Sequence, residues 1–280
     1  MTTRRNFIKT ASSATALSMI LPFELFAMSK KKFIGIQLYT IRKKLNEDFV
    51  GTMQKIANIG FNAVETAGYS NRKFYGYNPK EFKKFTKNLG LKAQSSHANV
   101  QLKDLDKIID DTLEAGMEYL VQPYLDKSRR KNIDDYKKLA EGFNIIGEKC
   151  NKSGLGFAYH NHAFEFEKMD GQIPYDVLLN NTEADFLTMQ LDTYWMVYGG
   201  YQPIDYFNKY PGRFELLHIK DMDNTAKRES TEIGNGIIDF QKIFAANKKS
   251  GMKYYFLEQE TFKKDEFKSL TISYEYLKQF

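Results

Sequence analysis

The chain has 280 residues, of which 42% are hydrophobic and 27% are charged, and its formal net charge is +6. These proportions are close to those of soluble globular proteins, which argues against a disordered chain and against a polytopic membrane protein. The positive charge is spread over many lysines without a basic stripe interleaved with aromatic residues, so we expect no nucleic-acid partner.

The N-terminal segment has the pattern of an export signal. Arg4, Arg5 and Lys9 precede an apolar, alanine-rich run at residues 11–21, and this order resembles the twin-arginine export signals of bacteria. The run is shorter than the ~20 apolar residues that span a membrane. We therefore expect residues 1–27 to be cleaved after Ala27, leaving a periplasmic protein without stable membrane insertion. The alternative is a short N-terminal helix.

Further along the chain, short β-rich segments alternate with amphipathic helical segments, which predicts βα units and a parallel sheet. Helices are predicted where apolar residues recur at three- and four-residue spacing. The predicted strands are residues 33–39, 63–65, 92–97, 119–123, 156–161, 188–192, 215–219 and 254–258. The predicted helices include residues 49–59, 79–89, 105–115, 133–153, 240–248 and 269–278.

Eight such units predict a single (β/α)8 barrel over residues 28–280, with no internal domain boundary. Glycine follows several of the predicted helices, as a left-handed cap that leads into a strand requires. An open doubly wound sheet is the alternative, but the dinucleotide-binding fingerprint that usually accompanies it is missing after the first strand.

All four histidines lie towards the C-terminal ends of predicted strands. His97 ends the third strand, His160 and His162 lie at the end of the fifth, and His218 lies in the seventh. Active sites of α/β barrels are built at this end, whereas chance placement would scatter histidines over helices and both ends. The pattern therefore indicates a functional site.

Two carboxylates accompany the histidines. Asp192 ends the sixth strand and Glu258 ends the eighth. Because side chains alternate along a strand, His160 shares an inward face with the small residues Gly156 and Ala158. Imidazole and carboxylate groups from neighbouring strands could hold one divalent ion such as Mn²⁺, Co²⁺, Zn²⁺ or Mg²⁺ and leave positions open for substrate oxygens. The alternative is a network of salt bridges between charged strand ends.

At these residues the sequence resembles the xylose-isomerase-like barrels, also called sugar phosphate isomerases and epimerases, over nearly the whole mature chain. The resemblance rests on GFAYHNHAFEF at residues 156–166, LDTYW at 191–195, LHIKD at 217–221, GNGIIDF at 234–240 and EQ at 258–259. It implies one metal ion held from strands five to eight, with Asp192, His218 and Glu258 as ligands. The commonest fifth-strand ligand of the family is glutamate, but here residues 159–162 read YHNH, as in inosose-dehydratase-like members. Strand parity favours His160 as the fourth ligand, with Glu165 as the alternative.

Such a site predicts carbohydrate chemistry. A cation chelated by a sugar hydroxyl and an adjacent carbonyl acidifies the neighbouring carbon-bound hydrogen and stabilises the enediolate that forms. Isomerisation, epimerisation and β-elimination share this step. The candidate bases are His162, His97 and Glu65, which ends the second strand.

Further side chains are candidate catalytic or substrate-binding residues, and Lys220 is the catalytic candidate among them. Lys220 lies on the same side of its strand as His218 and could stabilise negative charge; alternatively it forms a salt bridge with Asp192 or Asp221. Glu165 is a second polar candidate. The aromatic residues Trp195, Tyr124, Tyr194 and Tyr39 could form an apolar wall for a sugar ring, although packing is the better explanation for any one of them alone.

We expect a metal-dependent isomerase or epimerase of a free sugar or keto-sugar, with a lyase or dehydratase of a keto-sugar or keto-glycoside as the alternative. A non-catalytic exported sugar-binding protein is a further alternative, as is a nuclease like endonuclease IV. That nuclease has a histidine three residues after the sixth-strand aspartate, whereas this chain has Trp195. The sequence leaves a homo-oligomer open.

Overall fold

The computed structural model describes residues 32–280. The expected export signal and its cleavage site after Ala27 lie outside the described residues. Within residues 32–280, no helix combines the length and the apolar character that crossing a membrane demands.

Eight parallel strands form a closed barrel, and each pairs with the strands before and after it. The eighth strand closes the barrel on the first, with Gly35 opposite Phe256. The predicted (β/α)8 barrel is therefore confirmed. The strands are β1 Gly35–Gln37, β2 Ala63–Thr66, β3 Lys92–His97, β4 Tyr119–Gln122, β5 Gly156–His160, β6 Thr188–Asp192, β7 Leu216–Ile219 and β8 Tyr254–Leu257.

Helices cover the outside of the barrel, and most of them follow the predicted positions. They are α1 Arg42–Glu47, α2 Phe49–Ile59, α3 Pro79–Asn88, α4 Leu105–Glu114, α5 Ile133–Lys152, α6 Pro174–Asn180, α7 Thr193–Tyr198, α8 Pro203–Lys209, α9 Phe240–Ala245, α10 Asn247–Ser250 and α11 Glu266–Leu277. The segment predicted as one helix at residues 240–248 divides into α9 and α10.

Four short helices, α1, α6, α7 and α8, were not predicted. Helix α6 begins at Pro174 and helix α8 at Pro203. The fixed φ of proline suits the first position of a helix. A third, α7, begins after Asp192, whose side chain accepts a hydrogen bond from the Trp195 backbone N–H. Helices of six or seven residues complete fewer than two turns, so apolar periodicity has no length over which to appear.

Short two-stranded pieces extend two of the strands at the rim of the barrel. Tyr69–Ser70 pairs with Lys73–Phe74 after β2, and Asp221–Met222 pairs with Ser230–Thr231 after β7. The Asp221 carboxylate also holds the following loop, because it accepts the backbone N–H groups of residues 234 and 236 at 2.9 Å.

The barrel interior is filled by two chemically different sets of side chains. An apolar layer contains Tyr119, Val121, Ala158, Leu216 and Phe256. Nearer the C-terminal ends of the strands, a polar layer contains Gln37, Glu65, Ser95, Gln190 and His218, all of them buried. Two steps along one strand lead from the first layer to the second, as from Leu216 to His218 on β7.

Candidate active site

Four side chains at the C-terminal ends of β5 to β8 form a compact cluster, which we term the ligand cluster. It consists of His160, Asp192, His218 and Glu258, each offering one ligand atom, and these atoms all lie within 4.8 Å of one another. Strand register places Asp192 directly opposite His218. All four residues are buried. The structure thus brings together the four residues that the sequence suggested as metal ligands.

Two atoms of the ligand cluster are buried without a hydrogen-bond partner among residues 32–280, namely His160 Nδ1 and Asp192 Oδ2. Asp192 Oδ1 accepts the backbone N–H of Trp195 at 2.8 Å, so only Oδ2 remains free. Leaving such atoms unsatisfied is costly, and a cation would satisfy both. Two imidazoles and two carboxylates are a donor set that suits Zn²⁺, Mn²⁺ or Co²⁺. The residues present therefore fit a divalent ion.

Burial sets the protonation of the cluster. It raises the pKa of Asp192 to about 7, although Lys220 acts in the opposite direction. It holds the pKa of His160 well below its usual range, and the nearby His218 adds to the effect. Burial also lowers the pKa of His218, but the carboxylates of Glu258 and Glu65 outweigh it and raise the value to about 10. A bound cation would replace these protons.

Lys220 lies beside the ligand cluster and is fully buried. Its Nζ contacts the carboxylate of Glu260 and lies 3.4 Å from Glu258 Oε2 and 3.8 Å from Asp192 Oδ2. Of the two ion-pair partners considered from the sequence, Asp192 is therefore near, whereas the Asp221 carboxylate accepts backbone N–H groups. Glu260 was missed, although it lies two residues after Glu258, at the spacing that puts side chains on one face of an extended chain.

A cavity of about 570 Å³ lies at this end of the barrel. The lining includes Tyr39, Tyr69, His97, Asn99, Tyr124, His160, His162, Trp195, Glu258 and Glu260. Three of the four aromatic residues suggested as a wall are in this lining. Tyr194 is not among the lining residues described; it is buried, and its hydroxyl donates to the backbone oxygen of Arg228 at 2.7 Å. Tyr69 was missed because its position depends on the short strand pair that follows β2.

A neighbouring cavity of about 710 Å³ lies along α5 and shares Asn99, Pro123 and Tyr124 with the first. None of the four residues of the ligand cluster is among its described lining residues. The smaller cavity is therefore the one that adjoins the candidate chemistry.

Both histidines suggested as bases line the smaller cavity. His162 packs parallel to Phe164, with ring centroids 5.6 Å apart, and its Nδ1 has no hydrogen-bond partner among residues 32–280. Burial and the nearby Lys220 lower the pKa of His162 to about 3, which keeps its ring neutral at pH 7. The Nε2 of His97 lies 2.6 Å from Gln190 Oε1.

Two glutamates have surroundings that do not favour the roles considered for them from the sequence. Glu65 is completely buried and is not among the described residues that line the cavity, which does not favour it as the base. Glu165 accepts the Tyr159 hydroxyl and, at 2.9 Å, the backbone N–H of His162. Burial raises the pKa of Glu165 to about 7. It thus holds the segment that carries His162, and the geometry favours His160 for the ligand cluster.

The chain matches the family model described as the xylose isomerase-like TIM barrel over residues 53–279. An inosose dehydratase from Lacticaseibacillus casei is 28% identical over 152 residues, which cover 47% of this chain and 50% of that protein. The match thus spans about half the length of this curated relative.

Solved structures show the same architecture. A sugar phosphate isomerase/epimerase from Parabacteroides distasonis has a TM-score of 0.79 at 30% identity, covering 90% of this chain and 95% of that chain. The IOLI protein with a binding zinc atom has a TM-score of 0.67 at 13% identity, covering 89% of this chain and 96% of that chain, and this likeness concerns the fold alone. The chain belongs to the xylose isomerase-like TIM barrel family.

Proposed function

We propose that this protein is a divalent-metal-dependent isomerase or epimerase of a free sugar or keto-sugar. The observation that carries the proposal is the ligand cluster, with two unpaired buried atoms, beside a cavity whose wall contains Tyr39, Tyr124 and Trp195. Aromatic faces pack against the apolar faces of sugar rings, while the polar groups fix their hydroxyls.

His160, Asp192, His218 and Glu258 would hold the ion. When bound, it supplies the positive charge that acidifies a hydrogen next to a sugar carbonyl and stabilises the resulting enediolate. His162 is the candidate to accept that hydrogen as a proton, because it lines the cavity and its ring is neutral at pH 7. The buried charge of Lys220 offsets the repulsion between the neighbouring carboxylates.

The charge of the cavity supports an unphosphorylated substrate. Among its described lining residues there is no lysine or arginine, whereas Glu258 and Glu260 are both present. With Glu258 engaged by the ion, the described lining still offers no cationic side chain to receive the roughly two negative charges of a phosphate group. We also propose that the export-signal pattern of residues 1–27 directs the protein to the periplasm, where its substrates are free sugars, keto-sugars or glycosides.

Elimination of water from a keto-sugar is the second candidate. It begins with the same removal of a hydrogen, and the similarity to an inosose dehydratase over 152 residues favours it. The two reactions differ in their products, since isomers keep the mass of the substrate and a dehydration product loses one water.

The test uses a panel of free sugars and keto-sugars in D₂O. We expect carbon-bound deuterium to appear with the untreated protein, to stop after chelation, and to resume with Mn²⁺ or Co²⁺. Replacing His162 by Gln should slow exchange by about 100-fold or more while the metal content stays unchanged. The exposed Tyr198→Phe variant serves as a control with unchanged exchange. Exchange that is indifferent to chelation would contradict the proposal.

A further inference from the structure

Glu65 lies at a point where the barrel is locally irregular. It is the third residue of β2, and the pairing of β2 with β3 shifts register between Val64 and Glu65. A shift of this kind changes the direction of the side chain that follows it. The Glu65 carboxylate is completely buried in the polar layer.

Both carboxylate oxygens of Glu65 are fully engaged. Gln37 Nε2 donates to Oε1 at 2.6 Å, and Ser95 Oγ donates to Oε2 at 2.6 Å from the strand on the other side. Gln190 Nε2 donates to Oε2 at 2.7 Å from across the barrel. The remaining contacts are with histidine rings: His218 Nε2 lies 2.6 Å from Oε1 and His97 Nε2 lies 3.1 Å from it.

A carboxylate with this many donors is held as an anion. The amide nitrogens of Gln37 and Gln190 can only donate, so both oxygens of Glu65 act as acceptors. An ionised carboxylate only accepts hydrogen bonds, so each nitrogen that faces it must carry a hydrogen. This requirement applies to His218 Nε2.

The other nitrogen of His218 faces the ligand cluster. Nδ1 lies 3.0 Å from Glu258 Oε2 and 4.0 Å from Asp192 Oδ2. If the hydrogen of the neutral ring is kept on Nε2 by Glu65, the lone pair of the ring lies on Nδ1, on the side of Glu258 and Asp192. Metal-binding histidines are commonly oriented by a carboxylate on their second nitrogen in this way.

A second chain of contacts orders His97. The Gln190 amide donates through Nε2 to Glu65. This hydrogen bond directs Oε1 of Gln190 towards His97 Nε2, at 2.6 Å. His97 therefore carries its hydrogen on Nε2, and the ring is fixed in the wall of the cavity. One buried carboxylate thus orders a candidate ligand and a cavity histidine at the same time.

We propose that Glu65 is a positioning residue, which holds His218 with its hydrogen on Nε2 and its Nδ1 lone pair directed to the cation position. The inference rests on the proposed function in one respect, namely that the ligand cluster binds a divalent ion. It assigns Glu65 no contact with substrate, in contrast to its role as a candidate base.

The first test is the Zn²⁺ affinity of the full chain, measured by competition with a chelating dye. Glu65→Gln keeps the size of the side chain, but its amide nitrogen replaces one carboxylate oxygen and cannot accept the hydrogen bonds that this oxygen received. We expect it to weaken Zn²⁺ binding by about 10- to 100-fold. Ser95→Ala is the matched control, because it removes one contact to the same carboxylate and none to a histidine; we expect a change below about 3-fold.

The second test needs no substitution of Glu65 and so does not depend on the folding of that variant. Nitrogen NMR of ¹⁵N-histidine-labelled, Zn²⁺-loaded protein reports which ring nitrogen carries the hydrogen. With four histidines in the chain, single His→Gln variants assign the signals. We expect the His218 signal of a ring protonated at Nε2 and bound through Nδ1.

The outcomes separate this inference from the proposed function. Binding of Zn²⁺ by His218 through Nε2, or a Glu65→Gln variant that folds and binds Zn²⁺ as tightly as the original protein, would overturn the positioning role alone. A Glu65→Gln variant that keeps its Zn²⁺ affinity but loses turnover would return Glu65 to the role of base. A wild-type chain that binds no divalent ion would overturn both proposals.

Discussion

The apolar and polar layers of the barrel interior are built by the same strands, yet they differ in almost every physical respect. On β7, Leu216 packs in the apolar layer, and two residues later His218 makes close contacts with carboxylates. On β5, Ala158 and His160 show the same change. Alternation along a strand keeps all four side chains inside the barrel, so only the residue type distinguishes the layers.

This difference indicates a division of roles. Removing apolar surface from water stabilises the fold without regard to direction. Buried charges contribute less reliably to stability, because desolvation offsets much of their attraction. We therefore expect substitutions in the apolar layer to change stability, and substitutions in the ligand cluster to change cation binding.

The largest expected effect is in the apolar layer. Leu216→Ala should reduce the free energy of unfolding by about 2–5 kcal/mol, because it removes a completely buried side chain and leaves a cavity. Urea unfolding measures this change through the shift of the midpoint. Zn²⁺ affinity of the folded variant should stay within about 3-fold. A folded variant that lost its Zn²⁺ affinity would show that the two layers are coupled.

The next effect is in the ligand cluster. Asp192→Asn should weaken Zn²⁺ binding by about 100-fold or more, since replacing a ligand costs at least as much as disturbing a group behind one. The asparagine side chain can still accept the Trp195 N–H that caps α7. Without metal, we therefore expect the free energy of unfolding of the variant to lie within about 1 kcal/mol of that of the original protein. Stoichiometric zinc in the purified variant, by elemental analysis, would refute the ligand assignment.

The smallest expected effect is on the stability contributed by Glu232, a carboxylate at the rim of the barrel outside both layers. Glu232 is buried, and it accepts the Ser269 hydroxyl at 2.7 Å and contacts Lys264 Nζ at 3.4 Å. Burial opposes its ionisation, but these partners lower its pKa to about 2. The ionised group therefore stabilises the fold above the ordinary pKa of glutamate, and this contribution disappears as the pH falls towards 2.

Glu232→Gln should accordingly reduce the free energy of unfolding by about 1–2 kcal/mol at pH 7. The difference in this free energy between the variant and the original protein should become smaller below about pH 4.5. Thermal unfolding between pH 2.5 and pH 7 measures the difference. Glu275→Gln, at an exposed position of α11, is the matched control and should have little effect at any pH. A pH-independent loss of stability in Glu232→Gln would mean that shape rather than charge explains it.

Local sequence patterns were sufficient for the barrel and for one member of the ligand cluster. Strand period, helix period and the glycines between them act over a few residues, so they can be recognised without knowledge of distant contacts. The position of His160 followed in the same way, because side chains two residues apart share one face. Asp192, His218 and Glu258 were assigned by resemblance to the family, and the structure places them beside His160.

The tertiary structure decided what depends on contacts between distant segments. Glu65 is separated from His218 by 153 residues, and only closure of the barrel brings its carboxylate to the ring. Lys220 and Glu260 are 40 residues apart in sequence and meet because they follow the paired strands β7 and β8. Glu165 is near His162 in sequence, but its burial decided its role. A sequence shows which side chains can bind a cation or a proton, but their surroundings in the folded chain determine which of them reach the cavity and which hold their neighbours.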